Sequence, residues 1–375
     1  MGIIIRQSIK NSLINYLGVL IAAVSTIWIY PYDKTTYGLV QFIQAAAMTA
    51  LPFLLAGANF VSIRFFPEFK NETNGHHGYF GILSLLVFSG FVFFGLAYWL
   101  LEDQIAWLYS DKSDVFKAYI PYILPLAMLI GIMHFCVSYA ANFKRIAVPA
   151  IFTNLIKVSL PVLILAHYWS YITLDQLVWG VLLNFTIAML GALGYLWWLG
   201  EIKWSINWTF LNPERRKRML QYAVFGMASG VGGVLAFRID AVMVPSLIDF
   251  KSNGVYNLAM FIGNAIAISS TALLAIASPI ISAAFKNNDM AEIRDIYQKS
   301  SANLLIAGTL FFCLILPNVN DLFSIMPKSE EMVGGYWVVF FIGLTKVIEM
   351  GTSVNHQIIN HSDFYRLNLV MIFIL

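Results

Sequence analysis

The stretch Glu201–Arg218, EIKWSINWTFLNPERRKR, is the most conspicuous polar break in this chain, and it ends in four consecutive basic residues, Arg215, Arg216, Lys217 and Arg218. Long apolar segments flank it on both sides. Of the 375 residues, 59% are hydrophobic and 11% charged, and the mean hydropathy is +0.73. A soluble domain carries roughly 25% charged residues. No water-soluble fold can hide this much apolar surface, so the bilayer is the solvent and the fold class is an all-α polytopic membrane protein. The break then reads as a linker between two lobes. Its basic tetrad faces the anionic inner leaflet, where a juxtamembrane Lys or Arg gains about 1 kcal/mol. The plainer reading of the tetrad is an ordinary positive-inside loop with no other role.

A span needs about 20 apolar residues. Ten candidates lie at roughly 12–30, 39–63, 79–101, 118–141, 147–169, 175–199, 219–243, 255–284, 302–323 and 333–355, and another begins near Leu367. The sequence stops at Leu375 inside that last apolar run. A half-built helix would leave backbone groups unsatisfied in lipid, so a piece of a longer protein is expected. The division is an N-terminal lobe of spans 1–6 (1–200), the linker (201–218), and a C-terminal lobe of spans 7–10 with the start of an eleventh (219–375). With the N-terminus inside, fifteen of the 23 Lys and Arg fall on the inner side and six on the outer. Lys157 and Lys346 lie within spans. That bias predicts a cytosolic N-terminus and an even number of spans before the linker. Trp28, Tyr30, Tyr32, Trp99, Trp107, Tyr109, Tyr168, Trp169 and Tyr171 fall where an outer aromatic belt belongs; Tyr195, Trp197, Trp198 and Trp204 mark an inner one.

Every connection is short, which leaves no room for an extramembrane catalytic domain. Cys136 and Cys313 both sit in apolar segments and read as small buried residues. There is no GxxxxGK[ST], HExxH or paired CxxC, so no nucleotide, metal or other cofactor is expected, and no nucleic acid partner. A weak internal repeat links Pro31–Ala50 with Pro245–Ile268: each runs proline, acid, lysine, a Gly/Tyr pair, then an apolar helix carrying amides. The offset of six spans makes this a parallel repeat.

The opening SIKNSLINYLGVLIAAVSTIWIYPYD, the YGLVQF start of span 2 and its end SIRFFPEF resemble bacterial polysaccharide flippases of the multidrug/oligosaccharidyl-lipid/polysaccharide exporter superfamily. So do FRIDAVMV with NGVYNLA (Phe237–Ala259) and GTSVNHQIINHSDFYR (Gly351–Arg366). The resemblance covers the whole chain through patterns, not catalytic signatures. It implies two pseudo-symmetric, MATE-like helix bundles in the bacterial cytoplasmic membrane. It also implies export of an undecaprenyl-diphosphate-linked oligosaccharide by alternating access, for O-antigen or capsule assembly. The transport unit expected is monomeric, non-enzymatic and possibly coupled to H+ or Na+.

A charged side chain at mid-membrane costs about 2.5–3.5 kcal/mol, so each needs a cavity, a partner or a snorkelling route. Lys157 is the deepest, with Asn154 one turn before it. It reads as a lumenal cation for the diphosphate, or as a lysine bonded to backbone carbonyls. Lys346 and Glu349, spaced i,i+3 in span 10, read as a polar lumenal face with Glu349 as coupling group, or as a self-neutralising pair. Arg64 closes span 2, and Arg238 and Asp240 end span 7. Arg64 and Arg238 are further substrate-binding candidates, and Asp240 is a second ion-coupling candidate. Gln41, Gln44, Asn154, Asn257 and Asn264 form candidate polar walls, Asn257 and Asn264 sharing a face with Thr271. Amides can hold sugar hydroxyls, or hold helices together at about 0.6 kcal/mol per bond. The buried charges are mostly cationic, which favours an anionic substrate. A lipid II flippase and a multidrug/cation antiporter of the same superfamily remain alternatives. A membrane glycosyltransferase or polymerase is disfavoured by the short outer loops.

Overall fold

The computed structural model describes residues 2–71, 74–101, 114–268, 289–332 and 334–361, with isolated positions between them. Among the described residues the fold is helical, with no strand. The helices are α1 (Gly2–Trp28), α2 (Lys34–Leu55), α3 (Ala58–Phe69), α4 (Tyr79–Leu100), α5 (Asp114–Tyr119), α6 (Ile123–Ala141), α7 (Ala147–Tyr168) and α8 (Leu174–Trp198). They continue as α9 (Pro213–Leu247), α10 (Phe250–Ala265), α11 (Met290–Ile315), α12 (Val319–Ser324), α13 (Gly335–Thr352) and α14 (Asn355–His361). Among the described residues seven helical segments are long and apolar enough to cross a membrane, or eight counting α9, which bends by 53° between Val234 and Arg238. These match expected spans 1–7 and 9. Expected span 10 is the 18-residue α13, which is not among them. Expected span 8 is described continuously only to Ile268, and the eleventh lies outside the described residues.

Helix surfaces show what the solvent must be. On α8, Trp179, Leu183, Ile187 and Leu190 are exposed along one stripe, while Val178, Val181, Leu182, Phe185 and Ala188 are buried. On α4, Leu85, Phe88, Phe93, Leu96 and Trp99 are exposed. In water each such side chain forfeits about 1.5–3 kcal/mol relative to burial; in hydrocarbon the penalty vanishes. Trp99, Trp169, Tyr171, Trp197, Trp198 and Trp204 are exposed as belt residues should be. Tyr30 is not: it is buried and stacks on Tyr37 at 4.2 Å, a helix-entry contact instead of an interfacial anchor. Trp107 and Tyr109 lie outside the described residues.

Local chemistry sets the ends. Thr173 and Gln176 form a reciprocal capping box that starts α8. Asn212 caps α9 through the Arg215 N–H, with Pro213 in the first turn. Span 2 is broken into α2 and α3 at Ala56 and Gly57, both at positive φ, one turn after Pro52. A Cβ on Gly57 would lie 2.1 Å from the Ala223 carbonyl oxygen, so α9 crosses here at backbone contact.

By their contacts the described helices form two compact units: residues 1–25 with 39–250, and residues 26–38 with 251–375. This grouping follows contacts; the lobes expected from pseudo-symmetry are a different division. The first unit has an aromatic core at its linker end, where Phe65, Phe66, Phe69, Tyr79, Phe80, Phe135 and Tyr139 are buried together. Tyr79 donates to the Val61 carbonyl at 2.7 Å. The linker folds onto this core: Asn207 N–H bonds the His77 carbonyl, and Phe210 stacks on His77 at 3.8 Å. The tetrad therefore has a tertiary role that its plain reading omits. Arg218 reaches Glu68 at 3.0 Å and Arg215 at 3.5 Å, and Arg215 also lies 4.1 Å over the Phe210 ring.

Gly57→Ala should lower the thermal unfolding midpoint in detergent, since it adds a methyl against backbone at positive φ; the expected cost is about 1–3 kcal/mol. Gly95→Ala, where a Cβ meets nothing within 4 Å, should be neutral or slightly stabilising. Equal midpoints for the two variants would contradict the close crossing.

Candidate functional site

The break in span 2 opens a cavity of about 280 Å³ in the first unit. Its walls come from α2 and α3 (Pro52, Gly57, Asn59), α6 (His134, Ser138) and α9 (Gly230, Gly233). Two sequence features make the space. Small residues remove side chains from α9, and the left-handed backbone at Gly57 interrupts the helix between α2 and α3. Asn59, His134 and Ser138 offer neutral donors and acceptors on an otherwise apolar wall. That chemistry suits hydroxyl-rich ligands.

The expected cations are not gathered there. Lys157, Arg64 and Arg238 belong to the same unit, yet none lines this cavity. Lys157 sits eleven residues into the 22-residue α7, half-buried, with no carboxylate at ion-pair distance among the described residues. Its stem lies beside α1, 3.4 Å from where a Cβ on Gly18 would be. Asn154 is not a free cavity wall: its amide donates to Asn15 Oδ1 at 3.0 Å and to the Ala150 carbonyl at 2.8 Å, clamping α7 to α1. Arg64, Arg238 and Asp240 are exposed. Gln41 is half-buried, and the buried Gln44 Nε2 has no acceptor among the described residues.

In the second unit, Lys346 and Glu349 pair at 2.6 Å, the self-neutralising arrangement. Asn257 donates to the Asn253 carbonyl at 2.8 Å, and Asn253 in turn donates to the Gly38 carbonyl at 2.7 Å. That relay ties α10 to the 26–38 segment and takes Asn257 out of a sugar-holding wall. Asn264 is half-buried at the end of α10; Thr271 lies outside the described residues.

The most buried cation among the described residues is the lysine of the first repeat segment, Pro31–Ala50. The Lys34 side chain is 1% exposed. Its ammonium donates to the Pro31 carbonyl at 3.1 Å, the Lys328 carbonyl at 2.9 Å and Glu331 Oε2 at 3.3 Å. Lys251 holds the other oxygen, Glu331 Oε1, at 3.2 Å. Lys34 and Lys251 are the lysines of the internal repeat, so the two copies converge on one carboxylate. Burial works to raise the Glu331 pKa, but hydrogen bonds from Lys251 and Lys34 outweigh it and hold the carboxyl below its ordinary value. The repeat was read as a relation between spans, and nothing local marked Glu331. Among the described residues no group of His, Cys, Asp and Glu could hold a metal ion.

Comparison with known proteins bears on these features. A family model described as "Polysaccharide biosynthesis protein" matches residues 6–285. The chain belongs to the polysaccharide biosynthesis protein family. No curated protein sequence matches it. Among solved structures, this family member is similar to an inward-facing multidrug resistance MATE family transporter of the MOP superfamily. That match has a TM-score of 0.72 and 12% identity, covering 95% of this chain and 83% of the other. It is also similar to the Vibrio cholerae MATE transporter VcmN in a bent form, with a TM-score of 0.61 and 14% identity over 99% and 87% of the two chains. The polysaccharide biosynthesis protein described here thus has the MATE transporter fold, as the sequence resemblance implies.

Glu331→Gln should destabilise the protein by about 3 kcal/mol, because it strands a buried ammonium. Lys251→Gln should cost less than about 1 kcal/mol, since Lys251 is 49% exposed. The stability from Glu331 is present above its unfolded pKa, about 4.3, and is lost as pH falls through its lower folded value. The wild type should therefore show an extra acid loss that Glu331→Gln lacks. Thermal unfolding from pH 7 to 3 checks both.

Proposed function

We propose that this chain moves an undecaprenyl-diphosphate-linked oligosaccharide across the bacterial cytoplasmic membrane by alternating access. The N-terminus is cytosolic in this reading. Residues 1–200 and 219–375 act as the two lobes about the 201–218 linker, and one chain is the transport unit. The family match supports a role in polysaccharide assembly, and the MATE fold supports transport over catalysis.

The observation that carries the substrate class is Lys157. An unpaired ammonium in mid-span costs about 2.5–3.5 kcal/mol. A passing diphosphate supplies the missing charge, and the lysine offsets the desolvation of that diphosphate. The lipid tail stays in the bilayer while the head group crosses, so the pathway needs hydrogen-bonding walls only for sugars. Asn59, His134 and Ser138 offer such a wall. Lys346 contributes when its pairing with Glu349 opens, and that opening, together with Asp240, is where a coupling ion acts. Arg64 and Arg238 are exposed cations that meet the head group at the ends of its path.

A cation antiporter is the second reading, because one structural neighbour is a multidrug resistance transporter. Cation transport wants buried carboxylates. In the first unit Asp175 is exposed and accepts from the Tyr119 hydroxyl at 2.6 Å. In the second, Glu349 is engaged by Lys346. Neither arrangement leaves a carboxylate waiting for a cation.

Lys157→Ala and Lys346→Ala should each slow transfer of a diphosphate-linked lipid in proteoliposomes by about tenfold, the value of one lost charge-assisted hydrogen bond. Membrane insertion should stay near wild type in both, and the unfolding temperature of Lys157→Ala should rise. Wild-type transfer in both variants would overturn the cationic pathway.

A further inference from the structure

At the linker end of the first unit lies a second cavity, of about 330 Å³, with a different chemistry. It is lined by Lys70 at the end of α3, His76 in the turn before α4, Asn142, Lys144 and Arg145 in the α6–α7 turn, and Glu201 after α8. Three separate connections converge on it. Its floor is aromatic: Phe66 and Phe143 meet edge-to-face at 5.0 Å, and His76 packs on both, 5.4 Å from Phe66 and 5.5 Å from Phe143.

The turns are built to hold these side chains in place. His76 and His77 both have positive φ, and so does Lys144. Non-glycine residues adopt that backbone only where their surroundings enforce it. In the α6–α7 turn the Lys144 N–H bonds the Ala141 carbonyl at 2.9 Å and the Arg145 N–H bonds the Ala140 carbonyl at 3.3 Å. Asn142 is fixed by its amide donating to Ser62 Oγ at 2.8 Å. His76 Nδ1 accepts from the Asn71 N–H at 3.1 Å, so the ring proton sits on Nε2 and is donated to Glu201 Oε2 at 3.1 Å. The imidazole is thereby neutral and the one carboxylate in the wall is already engaged.

The charge count follows. Lys70, Lys144 and Arg145 are cations without an ion-pair carboxylate among the described residues, against one carboxylate held by a neutral histidine. The wall carries a net charge of about +2 around a space at the small end of ligand pockets. Point charges from two lysines and a planar guanidinium are the groups that bind phosphate.

We propose that this cavity is a binding site for a phosphate ester or diphosphate, separate from the cavity at the span-2 break. It does not rest on the transport reading, because the same walls would take the diphosphate of a lipid-linked sugar or the phosphate of an anionic phospholipid. Phosphate oxygens accept from Lys144, Arg145 and Lys70, while the aromatic floor and Asn142 face the group attached to the phosphate.

The test uses the full chain in phosphatidylcholine nanodiscs at 0.15 M salt, where diffuse surface charge is screened beyond about 8 Å. Inorganic pyrophosphate is the probe, titrated calorimetrically. Saturable one-site binding is expected, weakened about tenfold or more in Lys144→Gln/Arg145→Gln and about tenfold in Lys70→Gln, which guards against misfolding of the turn variant. Arg216→Gln, a basic residue outside the cavity, should leave binding unchanged. Nanodiscs containing phosphatidylglycerol then separate the sources. Competition with pyrophosphate supports the site with a phospholipid phosphate as ligand; no competition supports it with a diphosphate as ligand. Absence of saturable pyrophosphate binding, or equal weakening by Arg216→Gln, overturns the proposal.

Discussion

Hydrocarbon offers a peptide group no hydrogen-bond partner, and the rest of this structure follows from that constraint. It permits helices and excludes lipid-exposed irregular backbone. The break in span 2, at Ala56–Gly57, survives because α9 covers it at backbone distance. Isolated hydroxyls inside spans turn back on their own helix, as Ser25 does to Ile21, Thr186 to Leu182 and Ser246 to Val242.

The same constraint sorts the charges. Lys34 is shielded by three carbonyls, of Pro31, Pro327 and Lys328, and a carboxylate, and Lys346 by its own-helix partner. Arg215 and Arg218 share Glu68, which fastens the linker to the end of α3. Lys157 stands apart, half-buried at mid-helix with no acid to answer it among the described residues. A group so placed lowers stability unless something else uses its charge, and a moving diphosphate is the simplest user.

Helix positions were legible because apolar runs of span length have one interpretation in a chain this hydrophobic. Span 2 carries Pro52 and Gly57, residue types that disturb a helix whatever surrounds them. The repeat at Asp33–Lys34 and Asp249–Lys251 was visible as a pattern, but its meaning was not. That both lysines reach Glu331, some 80 residues further on from the second, is a tertiary fact with no local trace. Asn154 was open in the sequence, as a cavity amide or as one that holds helices together, and its amide is spent on Asn15 and Ala150. His134 and Ser138 were passed over because single polar residues in an apolar helix are common, and only the neighbouring small residues of α9 turn them into a wall. The tetrad's contacts were hidden likewise, since charge density alone does not distinguish a free basic loop from one pinned by Glu68.

The central claim, a pathway suited to a lipid-linked diphosphate and not to an organic cation, meets its most direct test in one reconstitution. The purified protein in liposomes would be followed for inner-to-outer transfer of a fluorescent undecaprenyl-diphosphate sugar, with ethidium efflux in a parallel channel. Lipid transfer without ethidium movement is the result expected from an unpaired cation in the pathway and from engaged or exposed carboxylates. Ethidium efflux without lipid transfer would contradict it, and would move the functional centre from Lys157 to Glu349 and Asp240.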